Sequence, residues 1–151
     1  MSSDLRELYQ SVILDHSKRP RNFCKPECSN RTAEGVNPLC GDQLTVYLNV
    51  EDDVVKDVGF NGTGCAISTA SASLMTQSIK GMKIGDVGHL FDEFREMVTS
   101  NPQSSVGGEE LGKLSVFSGV REFPMRVKCA TLAWHAMSEA LRDTGETATT
   151  E

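Results

Sequence analysis

Four segments of the chain are predicted to be helical, three of them because apolar residues recur at helical spacing. The first, residues 4–16, carries Leu5, Leu8, Val12 and Ile13 on one face. A second helix is predicted from near Cys65 to Lys80 in a run of mostly small residues, and a third over residues 84–98. A last helix is predicted to begin near Pro124, because proline is favoured in the first turn.

Strict alternation replaces this period in the middle of the chain. Residues 44–51 alternate apolar and polar side chains, which predicts a half-buried strand. Asp52 and Asp53 then turn the chain into a second strand over 54–60, most simply as a hairpin. A short strand is also predicted over residues 32–36. The sequence therefore predicts a small antiparallel sheet of about three strands.

Three segments show neither period. Residues 18–31 are rich in Pro, Arg, Asn and Ser and are interpreted as a connector. Residues 100–118 contain one proline and three glycines and are expected to be irregular, with one short helix. Residues 144–151 form a polar run and are expected to be a flexible tail. We therefore predict a single α+β domain over residues 1–143, in which the sheet packs against four to six helices.

Charge and composition argue against nucleic acid and membranes as partners and point to metal or sulfur chemistry. The formal net charge is −6, which argues against nucleic acid, because phosphates require a basic face. No apolar run approaches the ~18 residues of a membrane span, so no membrane partner is expected. Five cysteines without a secretory signal indicate a reducing, cytoplasmic setting and metal or sulfur chemistry rather than disulfides.

The candidate chemistry centres on Cys40 and Asp42. These residues are two apart across Gly41, so in an extended segment their side chains point to the same side. Cys65 and Cys129 each fall near the predicted start of a helix. Three thiolates and one carboxylate are suitable ligands for a tetrahedral zinc ion or an iron–sulfur cluster.

Each cysteine also has a simpler interpretation. Cys65 could be a small buried hydrophobe under a turn, and Cys129 lies on the apolar stripe of the last helix, as an inert core cysteine would. Cys24 and Cys28 have a spacing compatible with one metal, but loop thiols without a function are the simpler interpretation. His135 follows Cys129 by six residues, which does not favour a shared metal on a helix.

Three motifs taken together are more specific than any one cysteine. Asn-Pro-Leu-Cys-Gly-Asp at 37–42, Gly-x-Gly-Cys-Ala-Ile-Ser at 62–68 and Arg-Val-Lys-Cys-Ala at 126–130 resemble the iron–sulfur cluster assembly proteins of the IscU/NifU N-terminal family. The segment at 100–118, and Lys128 where IscU-type scaffolds carry a histidine, are more similar to the SufU branch.

This resemblance implies a function and a set of residues. Proteins of the SufU-like branch accept sulfur from a cysteine desulfurase and bind zinc. Carried over, the zinc ligands would be Cys40, Asp42, Cys65 and Cys129, with Cys40 as the sulfur acceptor. The resemblance implies a SufS-like desulfurase that supplies a replacement zinc ligand, and recipient apoproteins or other assembly factors downstream. Arg126 and Lys128 are candidates for steering the partner or the sulfur.

Three functions therefore stay open. The chain is a sulfurtransferase-like sulfur acceptor rather than a stand-alone enzyme, or a scaffold on which an iron–sulfur cluster is assembled on the same ligands. A structural zinc or interaction module is the third, although structural zinc sites usually contain only Cys and His. A hydrolytic zinc enzyme is disfavoured, since four protein ligands leave no open position for water.

Overall fold

The computed structural model describes residues 3–99, 111–143 and 147–150. Four α-helices, four strands and one 3₁₀ helix occur in these ranges. In chain order they are α1 Ser3–Lys18, β1 Arg31–Asn37, β2 Asp42–Glu51, β3 Val54–Thr63, α2 Ala66–Ile79, α3 Ile84–Thr99, the 3₁₀ helix Gly112–Glu122, α4 Pro124–Arg142 and β4 Ala148–Thr149.

The strands form one sheet with the order β3-β2-β1-β4. Strands β1, β2 and β3 are antiparallel neighbours, and the predicted hairpin joins β2 to β3. Asp52 and Asp53 both adopt positive φ in its turn, at 53° and 61°, a conformation that Asp tolerates better than most residues. The predicted antiparallel sheet and the α+β class are confirmed.

One face of the sheet packs against α2 and α4. The alternating residues Leu44, Val46 and Leu48 of β2 are at most 1% exposed and belong to the core. Helix α4 contacts β1 and β2, and it approaches β1 closely at Gly35, where an added Cβ would lie 3.1 Å from the Ala136 Cβ atom. Within the described residues, no helix has the length and apolar character needed to cross a bilayer.

The first connector is fastened to the sheet and to α2. The backbone N–H of Phe60 donates to the carbonyl oxygen of Asn22. Ser73 Oγ lies 2.7 Å from Nδ1 of His16 and accepts a hydrogen bond from the backbone N–H of Arg21 at 2.8 Å. His16 is 4% exposed, so this contact ties the end of α1 to α2 inside the protein.

The structure differs from the sequence prediction in α1 and in the predicted tail. Leu8, assigned to the apolar stripe of α1, is 57% exposed. Residues 100–110 of the predicted irregular segment lie outside the described residues, and the short helix expected in that segment is the 3₁₀ helix Gly112–Glu122, which continues beyond residue 118. In the predicted tail, Ala148–Thr149 pairs in parallel with β1, while residues 144–146 and 151 lie outside the description. The domain boundary at residue 143 stays a prediction.

Candidate metal centre

Three of the four candidate ligands converge at the edge of the sheet, and the fourth, Cys65, lies beside Asp42. The ligand atoms of Cys40, Asp42 and Cys129 all lie within 4.8 Å of one another. The Sγ atoms of Cys40 and Cys129 are 3.8 Å apart, and Sγ of Cys65 is 3.8 Å from Oδ2 of Asp42. Two segments of the chain therefore place Cys40, Asp42 and Cys129 around one point, and a third places the Cys65 sulfur next to the Asp42 carboxylate but outside this group of three.

A tight turn between β1 and β2 carries Cys40. The carbonyl oxygen of Asn37 accepts hydrogen bonds from the N–H groups of Cys40 at 3.2 Å and of Gly41 at 2.9 Å. Gly41 has a φ of +73°, in the left-handed region that glycine adopts without a steric penalty. This turn exposes Cys40 to solvent and returns the chain so that Asp42 begins β2.

Cys65 lies at the N-terminus of α2 and is coupled to Asp42. As the N-cap residue it accepts a hydrogen bond at its Sγ from the N–H of Ser68 at 3.4 Å. Its own N–H donates to Oδ1 of Asp42 at 2.9 Å. The helix dipole at this end favours a negatively charged sulfur. Asp42 is 2% exposed, so its carboxylate is held inside the site with one oxygen bound to the backbone of Cys65.

Cys129 approaches the site from α4 and is 5% exposed. Burial raises the pKa of the Cys129 thiol, and the neighbouring Cys65 and Asp42 raise it further. A bound cation would offset the repulsion among these groups, because coordination replaces the proton on a thiol. The interpretation of Cys129 as an inert core residue does not explain why its sulfur faces two other ligand groups.

The donor set fits zinc. Zinc binds thiolate sulfur at about 2.3 Å, so two sulfurs on one tetrahedral ion lie roughly 3.8 Å apart. The Cys40 and Cys129 sulfurs already have this separation. A set of three sulfurs and one carboxylate oxygen also has the donor types that suit an iron–sulfur cluster, so the ligand types alone do not select the metal.

A groove beside the site opens between α1, the 3₁₀ helix and the start of α4. Its cavity volume is about 980 Å³, and both Cys40 and Cys65 line it. Apolar side chains dominate its walls, and three of them are strongly exposed: Leu14, Phe123 and Met125. The site therefore lies beside a groove with mainly apolar walls.

Comparison with known proteins gives the family. Residues 8–143 match the family profile described as NifU-like N terminal domain. The chain belongs to this family. The iron–sulfur cluster assembly scaffold protein IscU of Streptococcus pyogenes is 39% identical over 140 residues, which cover 93% of this chain and 86% of that protein. The zinc-dependent sulfurtransferase SufU of Bacillus subtilis is 38% identical over 141 residues, 93% of each chain.

Solved structures agree with this assignment. The crystal structure of FiSufU from Fervidobacterium islandicum AW-1 superposes with a TM-score of 0.80 at 33% identity, over 93% of this chain and 99% of that one. The N-terminal NifU-like protein of Brucella abortus has the same fold, with a TM-score of 0.80 at 23% identity. The resemblance to the IscU/NifU N-terminal family is confirmed.

The two candidate steering residues of this NifU-like domain lie in different places. Arg126 lines the groove beside the site, and its guanidinium group lies 4.5 Å from the centre of the Phe123 ring. Lys128 instead lines a separate shallow hollow formed with residues of α3 and α4. Arg126 therefore lies at the groove and Lys128 away from it, and the steering role of each stays a prediction.

The remaining cysteines and histidines lie elsewhere. Cys24 and Cys28 are exposed in the first connector, and within the described ranges neither joins a cluster of three or more metal-binding groups. His135 packs edge-on against the Phe91 ring at 5.2 Å, and His16 contacts Ser73. His135 therefore packs against an aromatic ring of α3, and His16 links α1 to α2.

Sequence reasoning missed the groove and Asn37. The groove has one possible signal in the sequence, because α1 carries Leu14 next to Ile13, and a stripe of core positions alone does not account for both. Asn37 is 0% exposed, and its side-chain nitrogen lies 4.0 Å from Sγ of Cys129. The motif contained this asparagine, but nothing in the sequence showed that its side chain is buried at the site.

Proposed function

We propose that this NifU-like domain is a zinc-dependent sulfur acceptor for iron–sulfur cluster assembly. It would bind zinc through Cys40, Asp42, Cys65 and Cys129 and take persulfide sulfur from a cysteine desulfurase onto Cys40. The observation that carries the proposal is the convergence of Cys40, Asp42 and Cys129, with Cys65 next to Asp42 and with Cys40 on an exposed turn beside the two buried ligands. The zinc-dependent sulfurtransferase named among the relatives supports it.

The transfer itself is a thiol–persulfide exchange. The Cys40 thiolate attacks the outer sulfur of the desulfurase persulfide, the S–S bond of the partner breaks, and the partner's cysteine leaves as a thiolate. Cys40 then carries the persulfide, with no net oxidation or reduction. Zinc, when bound, holds the coordinating thiols as thiolates at neutral pH.

Cys40 suits the acceptor role better than its neighbours. Cys129 is buried on a helix, and Cys65, although exposed like Cys40, is held as the cap of α2 by a hydrogen bond from the N–H of Ser68. Cys40 lies on an exposed turn next to Gly41, outside any helix or strand. Its side chain lines the groove, so an incoming cysteine could reach it without unfolding an element.

The groove would receive the partner. Its apolar walls suit a partner segment with apolar side chains, while Arg126 offers a positive charge for an anionic persulfide. We propose that a SufS-like desulfurase docks here and that the sulfur passes onward to recipient apoproteins or other assembly factors.

A scaffold for iron–sulfur cluster assembly is the second candidate. Relatives from Streptococcus pyogenes and Thermotoga maritima, each 39% identical, carry that name, and the same four ligands suit a cluster. Lys128 weighs against it, since a protonated lysine has no lone pair to act as a ligand where IscU-type scaffolds carry a histidine.

Metal analysis separates the two functions. Protein purified without added iron should be colourless and contain about one zinc per chain, because d¹⁰ zinc has no visible transitions. It should stimulate the turnover of a purified SufS-type cysteine desulfurase, and removal of zinc with a chelator should abolish that stimulation. The variant Cys28→Ala, which changes a thiol outside the site, should behave as the wild type. Preferential uptake of iron, or full stimulation after zinc removal, would replace this proposal with the scaffold function.

A further inference from the structure

Asn37 connects the two sides of the candidate metal centre. It is the last residue of β1 and pairs across the sheet with Asp42, the first residue of β2. Its carbonyl oxygen accepts the two hydrogen bonds that form the turn of Cys40. Its side-chain nitrogen points to Sγ of Cys129 at 4.0 Å. One residue thus contacts both the exposed and the buried cysteine segments.

The side chain of Asn37 is buried at an energetic cost that its packing does not explain. It is 0% exposed, and its Oδ1 atom has no hydrogen-bond partner among the described residues. A buried amide with an unsatisfied oxygen destabilises a fold, and an apolar side chain of the same shape would avoid that cost. The amide N–H, by contrast, is a donor that a negatively charged sulfur accepts well.

We infer that Asn37 is a positioning residue for the metal centre, whose amide holds the Cys129 sulfur as a ligand while its backbone fixes the turn of Cys40. This inference rests on the proposed binding of a metal by these cysteines. Groups that hydrogen-bond to metal ligands fix their orientation, and their loss typically weakens metal affinity about 10–100-fold. Asn37 supplies such a contact from the strand opposite α4.

Asn30, which directly precedes β1, provides a matched control for Asn37 at the end of that strand. Its side chain forms two hydrogen bonds with the backbone of Val50, at 2.8 and 2.9 Å, and it is exposed. Asn30 directly precedes β1 and Asn37 is its last residue. Among the described residues, only Asn37 of the two contacts a candidate ligand. Substituting Asn30 therefore changes sheet stability without touching the metal centre.

The variant Asn37→Leu separates a positioning role from a structural one. Leucine branches at Cγ as asparagine does, although its side chain is somewhat larger, so it occupies the same site, removes the unsatisfied oxygen and deletes the donor to Cys129. The metal-free variant should be at least as stable as the metal-free wild type. Its zinc affinity, measured by competition with a chromogenic chelator, should nevertheless fall about 10–100-fold. The sulfur-to-metal charge-transfer bands of the cobalt-loaded protein should shift as well.

The controls keep each outcome decisive. Asn30→Ala should lower the thermal midpoint of the metal-free protein and leave zinc affinity and the cobalt spectrum unchanged. If Asn37→Leu does not fold, Asn37→Ala supports the same comparison. Wild-type zinc affinity and an unchanged cobalt spectrum in a folded Asn37 variant would overturn the inference while leaving the proposed function intact. A wild-type protein that binds neither zinc nor cobalt would overturn both.

Discussion

Cys129 lies with its sulfur 3.8 Å from the sulfur of Cys40, although 89 positions separate the two residues in the chain. Cys129 is buried on α4, whereas Cys40 is exposed on the turn between β1 and β2. The pair therefore combines a fixed sulfur inside the protein with an accessible sulfur at the surface. That asymmetry leads to different predictions for the loss of each cysteine.

The variant Cys40→Ala should abolish stimulation of a cysteine desulfurase and leave the metal-free fold intact, because this side chain is exposed on a turn. Cys65→Ala and Cys129→Ala should lose metal and metal-dependent stability together, since binding of this type is coupled to folding. Desulfurase turnover and thermal melts with and without zinc compare the three variants. Full stimulation by Cys40→Ala would rule out its role as acceptor.

Asp42 should contribute to the metal centre in two ways that can be separated. Asp42→Asn keeps an oxygen to accept the N–H of Cys65, so the metal-free protein should retain most of its stability while zinc affinity falls. Asp42→Ala also removes that acceptor, which should cost about 1.5–3 kcal/mol of unfolding free energy in the metal-free state. Urea unfolding and chelator competition measure both effects. Equal metal-free stability of the two variants would contradict the coupling between Asp42 and Cys65.

Sequence periodicity was enough for the main architecture. The strict alternation from Leu44 to Val50 predicted β2, and the turn at Asp52 and Asp53 predicted the hairpin. Each of these signals is local, because it arises from neighbouring side chains that share one face. The short strand β4 has no such signal, since two residues show no period and their pairing depends on the distant β1.

The sequence predicted which residue types form the site, but not the packing around them. The positions of Cys40, Cys65 and Cys129 at junctions between elements indicated that their side chains could meet. The burial of Asn37 and the groove beside Cys40 arise from tertiary packing between segments far apart in the chain, which no local pattern encodes. Leu8 shows that a local pattern can also mislead. Its place on the apolar face of α1 predicted a buried side chain, but the structure exposes it.

Two glycines should respond in opposite directions to substitution by alanine. A Cβ at Gly59 of β3 would lie 2.1 Å from the carbonyl oxygen of Cys24, so Gly59→Ala must displace the connector and should cost about 1–3 kcal/mol. A Cβ at Gly88 of α3 would meet nothing within 4 Å, and Gly88→Ala should add about 0.5–1 kcal/mol through helix propensity. Urea unfolding of both variants checks the signs. A neutral or stabilising Gly59→Ala would contradict the close approach.

Protonation of His16 in mild acid should lower the stability of the metal-free protein. Burial lowers its pKa from 6.5, and the positive charges of Arg21 and Lys113 lower it further, while Asp15 opposes them. The unfolded chain therefore binds the proton more readily than the folded protein. The stabilising contribution is present above pH 6.5 and is lost as pH falls through the lower folded-state pKa.

Thermal melts of metal-free protein between about pH 7.5 and 5.5 measure this effect. The variant His16→Gln should show a weaker loss of stability on acidification, and His135, whose pKa is also lowered by burial, should account for part of the remainder. His89→Gln, at an exposed position, should keep the wild-type pH dependence. An identical pH dependence in His16→Gln and the wild type would show that His16 does not resist protonation in the fold.

Peptide mass spectrometry after reaction with a cysteine desulfurase tests the central claim most directly. The zinc-loaded protein is incubated with the desulfurase and cysteine, and the added sulfur is located among its five cysteines. The account predicts one additional sulfur atom on the peptide that contains Cys40, and none on the Cys40→Ala variant. Sulfur found on Cys65 or Cys129 while Cys40 stays unmodified would contradict it.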